Sequence, residues 1–173
     1  MKINRRHVIM GATAIAGGAF LSFGNFGQFS APVPVMSKHE YKLLTEIVDM
    51  IIPATETAGA VSAGVPLYIE MMLNDWFQPH EREQFLAGLN DVGQRSPSAD
   101  FLSASPDEQL AILRQLDNQD RDDYNFFHQL KKMTLDSYYT SEIGATEELR
   151  YAAIPGPYRG CILFKEVGRT WAT

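Results

Sequence analysis

The chain of 173 residues has a single cysteine, Cys161, so no disulfide can close within it and no zinc site can be assembled from several thiolates. Its four histidines, His7, His39, His80 and His128, are never spaced as a ligand pair. No glycine-rich phosphate loop, no G-x-G-x-x-G after a strand pattern and no G-x-S-x-G elbow is present. Asp120, Asp122 and Asp123 begin like a calcium loop, but the central glycine and the distal glutamate are missing. There is no alternating strand pattern and no internal repeat, and no apolar run reaches the ~20 residues that suit a membrane-spanning helix. No catalytic, cofactor-binding or metal-ligating residue can therefore be named from the sequence.

Acidic residues are absent from the first 37 positions, whereas Lys2, Arg5 and Arg6 sit there. The whole chain carries a net charge of -6; without those three, 12 basic residues face 21 acidic ones. An acidic body argues against nucleic acid as a partner, because phosphate binding needs a basic surface.

Residues 1–36 read as an export address. A basic start precedes an uncharged stretch, apolar and rich in Gly and Ala over residues 8–23, which is the layout of a secretory signal. Arg5-Arg6, followed by His7, Val8 and Ile9, fits the twin-arginine type, with Asn4 in place of the usual hydroxyl residue and Met10 in place of the usual lysine. The alternative is an uncleaved leader that tethers the protein to the membrane. Neither Phe29-Ser30-Ala31 nor Ser22-Phe23-Gly24 is a clean cleavage site. The twin-arginine route carries proteins already folded, so its users acquire a cofactor or a partner beforehand. With no cofactor motif in the chain, a partner is the better explanation.

Residues 37–151 read as one helical domain of about five helices. Ser37-Lys38-His39-Glu40 is a capping box, followed by Tyr41, Leu44, Ile47, Val48 and Ile51 at helical spacing until Pro53. Residues 53–64 are small and loop-like. Val65-Pro66 restarts a helix whose apolar residues, Leu67, Ile69, Met71, Met72, Leu73, Trp76 and Phe77, are too many for one stripe. That helix is either central or covered by something else. A third helix is predicted from about His80, a fourth after the capping box Ser105-Pro106-Asp107-Glu108, and a fifth over about 122–139 with acidic residues 120–123 at its positive end. Residues 146–149 suit one helical turn. Residues 152–173, with two prolines and two glycines between Pro155 and Gly160, read as an extended arm. The fold class is all-α.

The remaining signals concern interaction. Trp76 and, on the arm, Tyr151, Pro155, Tyr158 and Cys161 are the candidate partner contacts, since aromatics on an irregular arm suit a partner's groove. Packing of the arm against its own domain is the alternative. For Cys161 itself, burial is the commoner fate of a free thiol, and pairing outside the chain is the other.

Two stretches carry a family resemblance. One is Ile52-Pro53-Ala54-Thr55-Glu56-Thr57-Ala58-Gly59-Ala60, continuing through Ala63-Gly64-Val65-Pro66 to Asp75-Trp76. The other runs from Phe126-Phe127 through Leu130-Lys131 and Thr134-Leu135 into Tyr139-Thr140-Ser141-Glu142-Ile143-Gly144-Ala145-Thr146, then Leu149, Tyr151, Pro155-Gly156, Tyr158 and Gly160-Cys161. Together they resemble the gluconate 2-dehydrogenase subunit 3 family, the small subunits of membrane-associated sugar and sugar-acid dehydrogenases. The resemblance implies a non-catalytic small subunit partnered with a flavoprotein large subunit of the glucose–methanol–choline type. A multihaem cytochrome c subunit often completes such complexes. FAD and the catalytic residues would belong to the large subunit, leaving no cofactor in this chain. The implied location is periplasmic, reached through the twin-arginine translocase, with the small subunit aiding export and maturation of the large one. A stand-alone exported enzyme is the competing reading.

Replacing Arg5 and Arg6 together by lysine should strand the associated dehydrogenase in the cytoplasm, as read by fractionation and immunoblotting. Arrival of the large subunit in the periplasm despite the double substitution would contradict a shared address.

Overall fold

The computed structural model describes residues 34–97, 100–118, 125–154, 156–157 and 160–172. The leader with Arg5 and Arg6, residues 119–124, Pro155, Tyr158 and Arg159 lie outside the described residues. Five long helices form the body: α1 Lys38–Ile51, α2 Val65–Asp75, α3 Pro79–Gln94, α4 Pro106–Asp117 and α5 Phe126–Thr140. A 3-10 turn, Phe101–Ser103, precedes α4; a π-helical turn, Gly144–Glu148, follows α5; and a single-turn helix, α6 Phe164–Val167, lies near the C-terminus. No strand occurs among the described residues, and the one β-bridge is isolated, Arg150 to Trp171. The fold is all-α.

Each helix start has a local cause. The Ser37 hydroxyl accepts from the Glu40 N–H at 3.2 Å while the Glu40 carboxylate accepts from the Ser37 N–H at 2.7 Å, so two otherwise orphaned donors are satisfied reciprocally. Glu40 also accepts from the Asn90 amide at 2.8 Å, which pins the start of α1 to α3. Ser105 and Glu108 repeat the reciprocal cap on α4. At α5 the cap is Asn125, whose side-chain oxygen accepts from the N–H groups of Phe127 at 2.9 Å and His128 at 3.3 Å. The helix therefore begins four residues later than the acidic run suggested; an amide caps it directly, and its first turn holds no acidic residue.

The core collects one face of every long helix. Leu43, Leu44, Ile47 and Val48 of α1, Ile69 and Leu73 of α2, Phe85 and Leu89 of α3 and Leu130 of α5 are sealed from solvent, and Leu113 and Leu116 of α4 are nearly so. Phe85 stands edge-on to both Phe77 and Phe126, at 6.3 and 5.0 Å between ring centroids, an arrangement that suits the ring quadrupoles. Met36 is buried and Val35 packs against the same core, so the folded body begins before Ser37, two residues inside the stretch read as leader and linker.

Helix α5 packs against all four other long helices. Its buried polar groups are satisfied: Thr134 donates to the Leu130 carbonyl at 2.8 Å and the Tyr138 hydroxyl donates to the Ala58 carbonyl at 2.7 Å. The loop between α1 and α2 is thereby tied to the end of α5. Gly59 is required in that loop, because a Cβ there would lie 2.6 Å from the Ala54 nitrogen.

Burial alone would push the Glu40 carboxyl up, but hydrogen bonds from the Ser37 backbone, the Asn90 amide and the Ser37 hydroxyl, with His39 nearby, outweigh it and hold the group below its ordinary value of 4.5. A depressed folded-state pKa stabilises the fold above 4.5 and loses that contribution as pH falls through the folded value. Glu40→Ala should cost about 1 kcal/mol at neutral pH, and the gap to wild type should narrow below 4.5 in urea unfolding followed by circular dichroism. A gap that widens on acidification would contradict this assignment.

Candidate partner interface

Helix α2 is built with two apolar faces. Gly64, at φ 76°, turns the chain in the left-handed region, the Val65 N–H donates to the Ala60 carbonyl at 3.1 Å, and Pro66 sits in the first turn with its ring φ already helical. Val65, Ile69 and Leu73, four residues apart, face the core and are buried. Leu67, Tyr68 and Met71 project from the other side, and Trp76 caps the helix with 72% of its surface exposed. Of the two alternatives the sequence left, a central helix or a covered one, the first is excluded: α2 is peripheral and its outward apolar face is bare. Scattered exposed leucines are ordinary; a leucine, a tyrosine, a methionine and a tryptophan on one helix are a patch.

The segment read as an extended arm is irregular apart from α6, and its end packs back on its own domain, the alternative that the sequence kept open. After α5 the motif Thr140-Ser141-Glu142-Ile143-Gly144-Ala145-Thr146 turns the chain sharply. Ser141 donates its hydroxyl to the Tyr138 carbonyl at 2.6 Å and accepts from the Gly144 N–H at 3.0 Å. A Cβ at position 144 would sit 1.9 Å from the Tyr138 carbonyl oxygen, which explains the glycine. Thr57 donates to the Glu148 carboxylate at 2.9 Å, fastening this turn to the α1–α2 loop. The chain then leaves at Arg150 and returns to it. The Arg150 N–H donates to the Thr170 carbonyl at 2.8 Å, the Ala172 N–H donates to the Arg150 carbonyl at 3.1 Å, and the Arg150 guanidinium lies 4.3 Å from the centre of the Trp171 ring. Arg150 also donates to the Val167 carbonyl at 3.1 Å, and Arg169 donates to the Glu147 carbonyl.

That clasp closes the base of the loop and leaves several of its apolar side chains exposed. Ile154 is 89% exposed and Phe164 is 69% exposed; Tyr151, Ile162 and Leu163 are exposed with them. Cys161 is exposed, against the expectation that burial is the commoner fate of a free thiol: among the described residues no helix pair encloses it. The sequence-predicted contacts therefore fall on two elements, Trp76 at the end of α2, and Tyr151 and Cys161 on the loop. The sequence reading did not single out Leu163 and Phe164. Their signal was three consecutive large apolar residues, 162–164, in a stretch too rich in Pro and Gly to bury them in a helix pair.

Two open clefts accompany these surfaces. One, about 540 Å³, is lined by Tyr139, Glu148, Leu149, Phe164, Gly168, Arg169 and Thr170, where the π-helical turn meets the loop. The other, about 480 Å³, lies between α4 and α5 and contains Asp117, His128 and Lys131. Its groups look like acid–base machinery but bond one another. Lys131 donates to both Asp117 oxygens at 2.8 and 2.9 Å, and His128 Nε2 lies 3.0 Å from the Asp117 carbonyl oxygen. The lysine meets the C-terminal end of α4, where a cation is favourable. Among the described residues, no three His, Cys, Asp or Glu side chains converge as metal ligands, and no helix is long and apolar enough to cross a membrane.

The profile of the family described as Gluconate 2-dehydrogenase subunit 3 matches residues 38–156, more than half of the chain. The chain belongs to this family. The match confirms the sequence resemblance and places the protein among subunits of a dehydrogenase complex. Comparison with curated proteins and with solved structures returned no match. The subunit 3 region spans all five long helices and the π-helical turn, and it ends inside the clasped loop. The two stretches that carried the resemblance meet in space, through Tyr138 on Ala58 and Thr57 on Glu148.

If the outward face of α2 plays no part in folding, Leu67→Ser and Met71→Ser should each change stability by less than about 0.5 kcal/mol. Leu73→Ala, on the opposite face, should cost about 2–5 kcal/mol. Chemical denaturation of the three variants measures the contrast; equal costs on both faces would show that the outer face packs on this chain.

Proposed function

We propose that this subunit is a non-catalytic partner of a flavoprotein dehydrogenase large subunit, which it grips through the outer face of α2 and the clasped loop and accompanies through the twin-arginine translocase to the periplasm. The single observation that carries this reading is the pair of bare apolar surfaces, α2 with Leu67, Tyr68, Met71 and Trp76, and the loop with Tyr151, Ile154, Leu163 and Phe164. Burying one such side chain is worth about 1.5–3 kcal/mol, so a domain that leaves eight of them in water is built to cover them with something else. Membership of a dehydrogenase subunit family supplies the class of that partner.

A shared export address requires an interface that survives transport of the folded pair, which calls for an obligate-type contact of roughly 2,000 Å² or more. Two separate elements reach such an area more readily than one helix face. Binding would also stabilise the large subunit by mass action, so maturation needs no chaperone chemistry. FAD and the reacting groups would sit in the large subunit, and haem c, where a cytochrome completes the complex, in a third chain.

Purification through a tag on the full chain should bring down a yellow protein with flavin absorbance, and Trp76→Ala should weaken that capture about tenfold or more. In the free chain Cys161 should react readily with a maleimide and be protected in the complex. A tagged chain that emerges alone and turns over a sugar substrate by itself would contradict the proposal and favour the stand-alone enzyme.

A further inference from the structure

The clasped loop differs from the body in charge as well as in shape. Residues 34–148 hold 20 acidic and eight basic side chains. Residues 149–173 hold one acidic side chain, Glu166, and four basic ones, Arg150, Arg159, Lys165 and Arg169. A positive loop thus stands on a negative domain. Arg150 and Arg169 are held in the clasp, by Trp171 and Val167 and by the Glu147 carbonyl respectively, so their charge is fixed in place around the loop's base. Their bonds go to carbonyls and a ring face, whereas Lys131 and Lys132 on the body pair with carboxylates. Lys165 lies on α6, and the middle of the loop in sequence, its tip, carries the exposed side chains of Ile154, Ile162, Leu163 and Phe164.

We infer that the clasped loop is a preformed plug, and that its binding site on the large subunit is an apolar pocket rimmed by carboxylates. The inference rests on the partner proposed above and adds the chemistry of one of its two contacts. The charge pattern argues the occupant. A partner surface that is negative attracts the loop and repels the acidic body, so encounter is oriented loop first. The outer face of α2 has no basic residue of its own, its helix carrying only Glu70 and Asp75 as charges, and cannot supply that attraction. The two contacts should therefore respond differently to salt: the loop contact weakens as salt rises, the α2 contact does not. Closure of the base by the Arg150–Trp171 clasp holds the two ends of the loop together before binding and lowers the entropy lost on docking. The clasp's returning limb and α6 lie beyond the family match, which stops at residue 156.

The experiment measures association of the full chain with its co-purified, separated flavoprotein as a function of salt, for wild type, Leu163→Ser with Phe164→Ser, and Lys165→Glu. The expected result is slower association of wild type as salt rises, a loss of affinity of about tenfold or more for the double tip variant, and a reduced salt dependence for Lys165→Glu. Trp171→Ala should lower affinity while leaving the thermal unfolding of the body unchanged. Tip and charge variants that bind like wild type, with capture still lost in Trp76→Ala, would overturn the plug and leave the accessory-subunit reading intact. Failure of wild type to bring down any flavoprotein would overturn both. Binding of wild type to phosphatidylglycerol vesicles but not to phosphatidylcholine vesicles, abolished by the tip substitutions and accompanied by unaltered flavoprotein binding, would overturn the plug in favour of a lipid surface.

Discussion

The hydrogen bond from the Tyr138 hydroxyl to the Ala58 carbonyl, 2.7 Å long and spanning 80 residues of sequence, fixes the geometry on which everything functional here depends. It joins the last turn of α5 to the loop that launches α2. With Thr57 on Glu148 beside it, it determines where α2 starts and where the π-helical turn releases the chain toward Arg150. A buried phenol that lost this acceptor would bear the full cost of an unsatisfied polar group, about 1–3 kcal/mol. Both exposed apolar elements emerge from this one junction, α2 from its loop side and the clasped loop from its helix side.

The junction also gives the family motif a physical meaning. Ser141 closes the end of α5, Gly144 is where the backbone passes too near the Tyr138 carbonyl for any side chain, and Thr146 donates back to the Glu142 carbonyl at 2.7 Å. These residues make a turn. The polar cluster of Asp117, His128 and Lys131 consists of groups that bond one another and fasten α4 to α5.

How much of this was readable beforehand follows from the range of the forces involved. Capping boxes at Ser37 and Ser105 and the Pro66 start of α2 are local devices, and the sequence shows them directly. The excess of apolar residues on α2 was equally plain, but its meaning was not: only tertiary packing decides whether a second apolar face is central or bare. The start of α5 was placed too early because an acidic run suits a positive helix end, whereas Asn125 caps it by direct hydrogen bonds. The C-terminal loop was the least legible element. Prolines and glycines correctly exclude a long helix there, yet the closure rests on Arg150 meeting Trp171 across 20 intervening positions, a pairing with no periodic signature. Cys161 was expected to be buried for want of that information.

Hydrogen exchange read by mass spectrometry, on the chain alone and bound to its flavoprotein, tests the central claim most directly. Coverage by a partner predicts new protection in residues 65–76 and 150–172 on binding, with α1 and α3 unchanged. Protection confined to α4 and the Asp117–Lys131 cleft, with α2 and the loop exchanging as in the free chain, would contradict it.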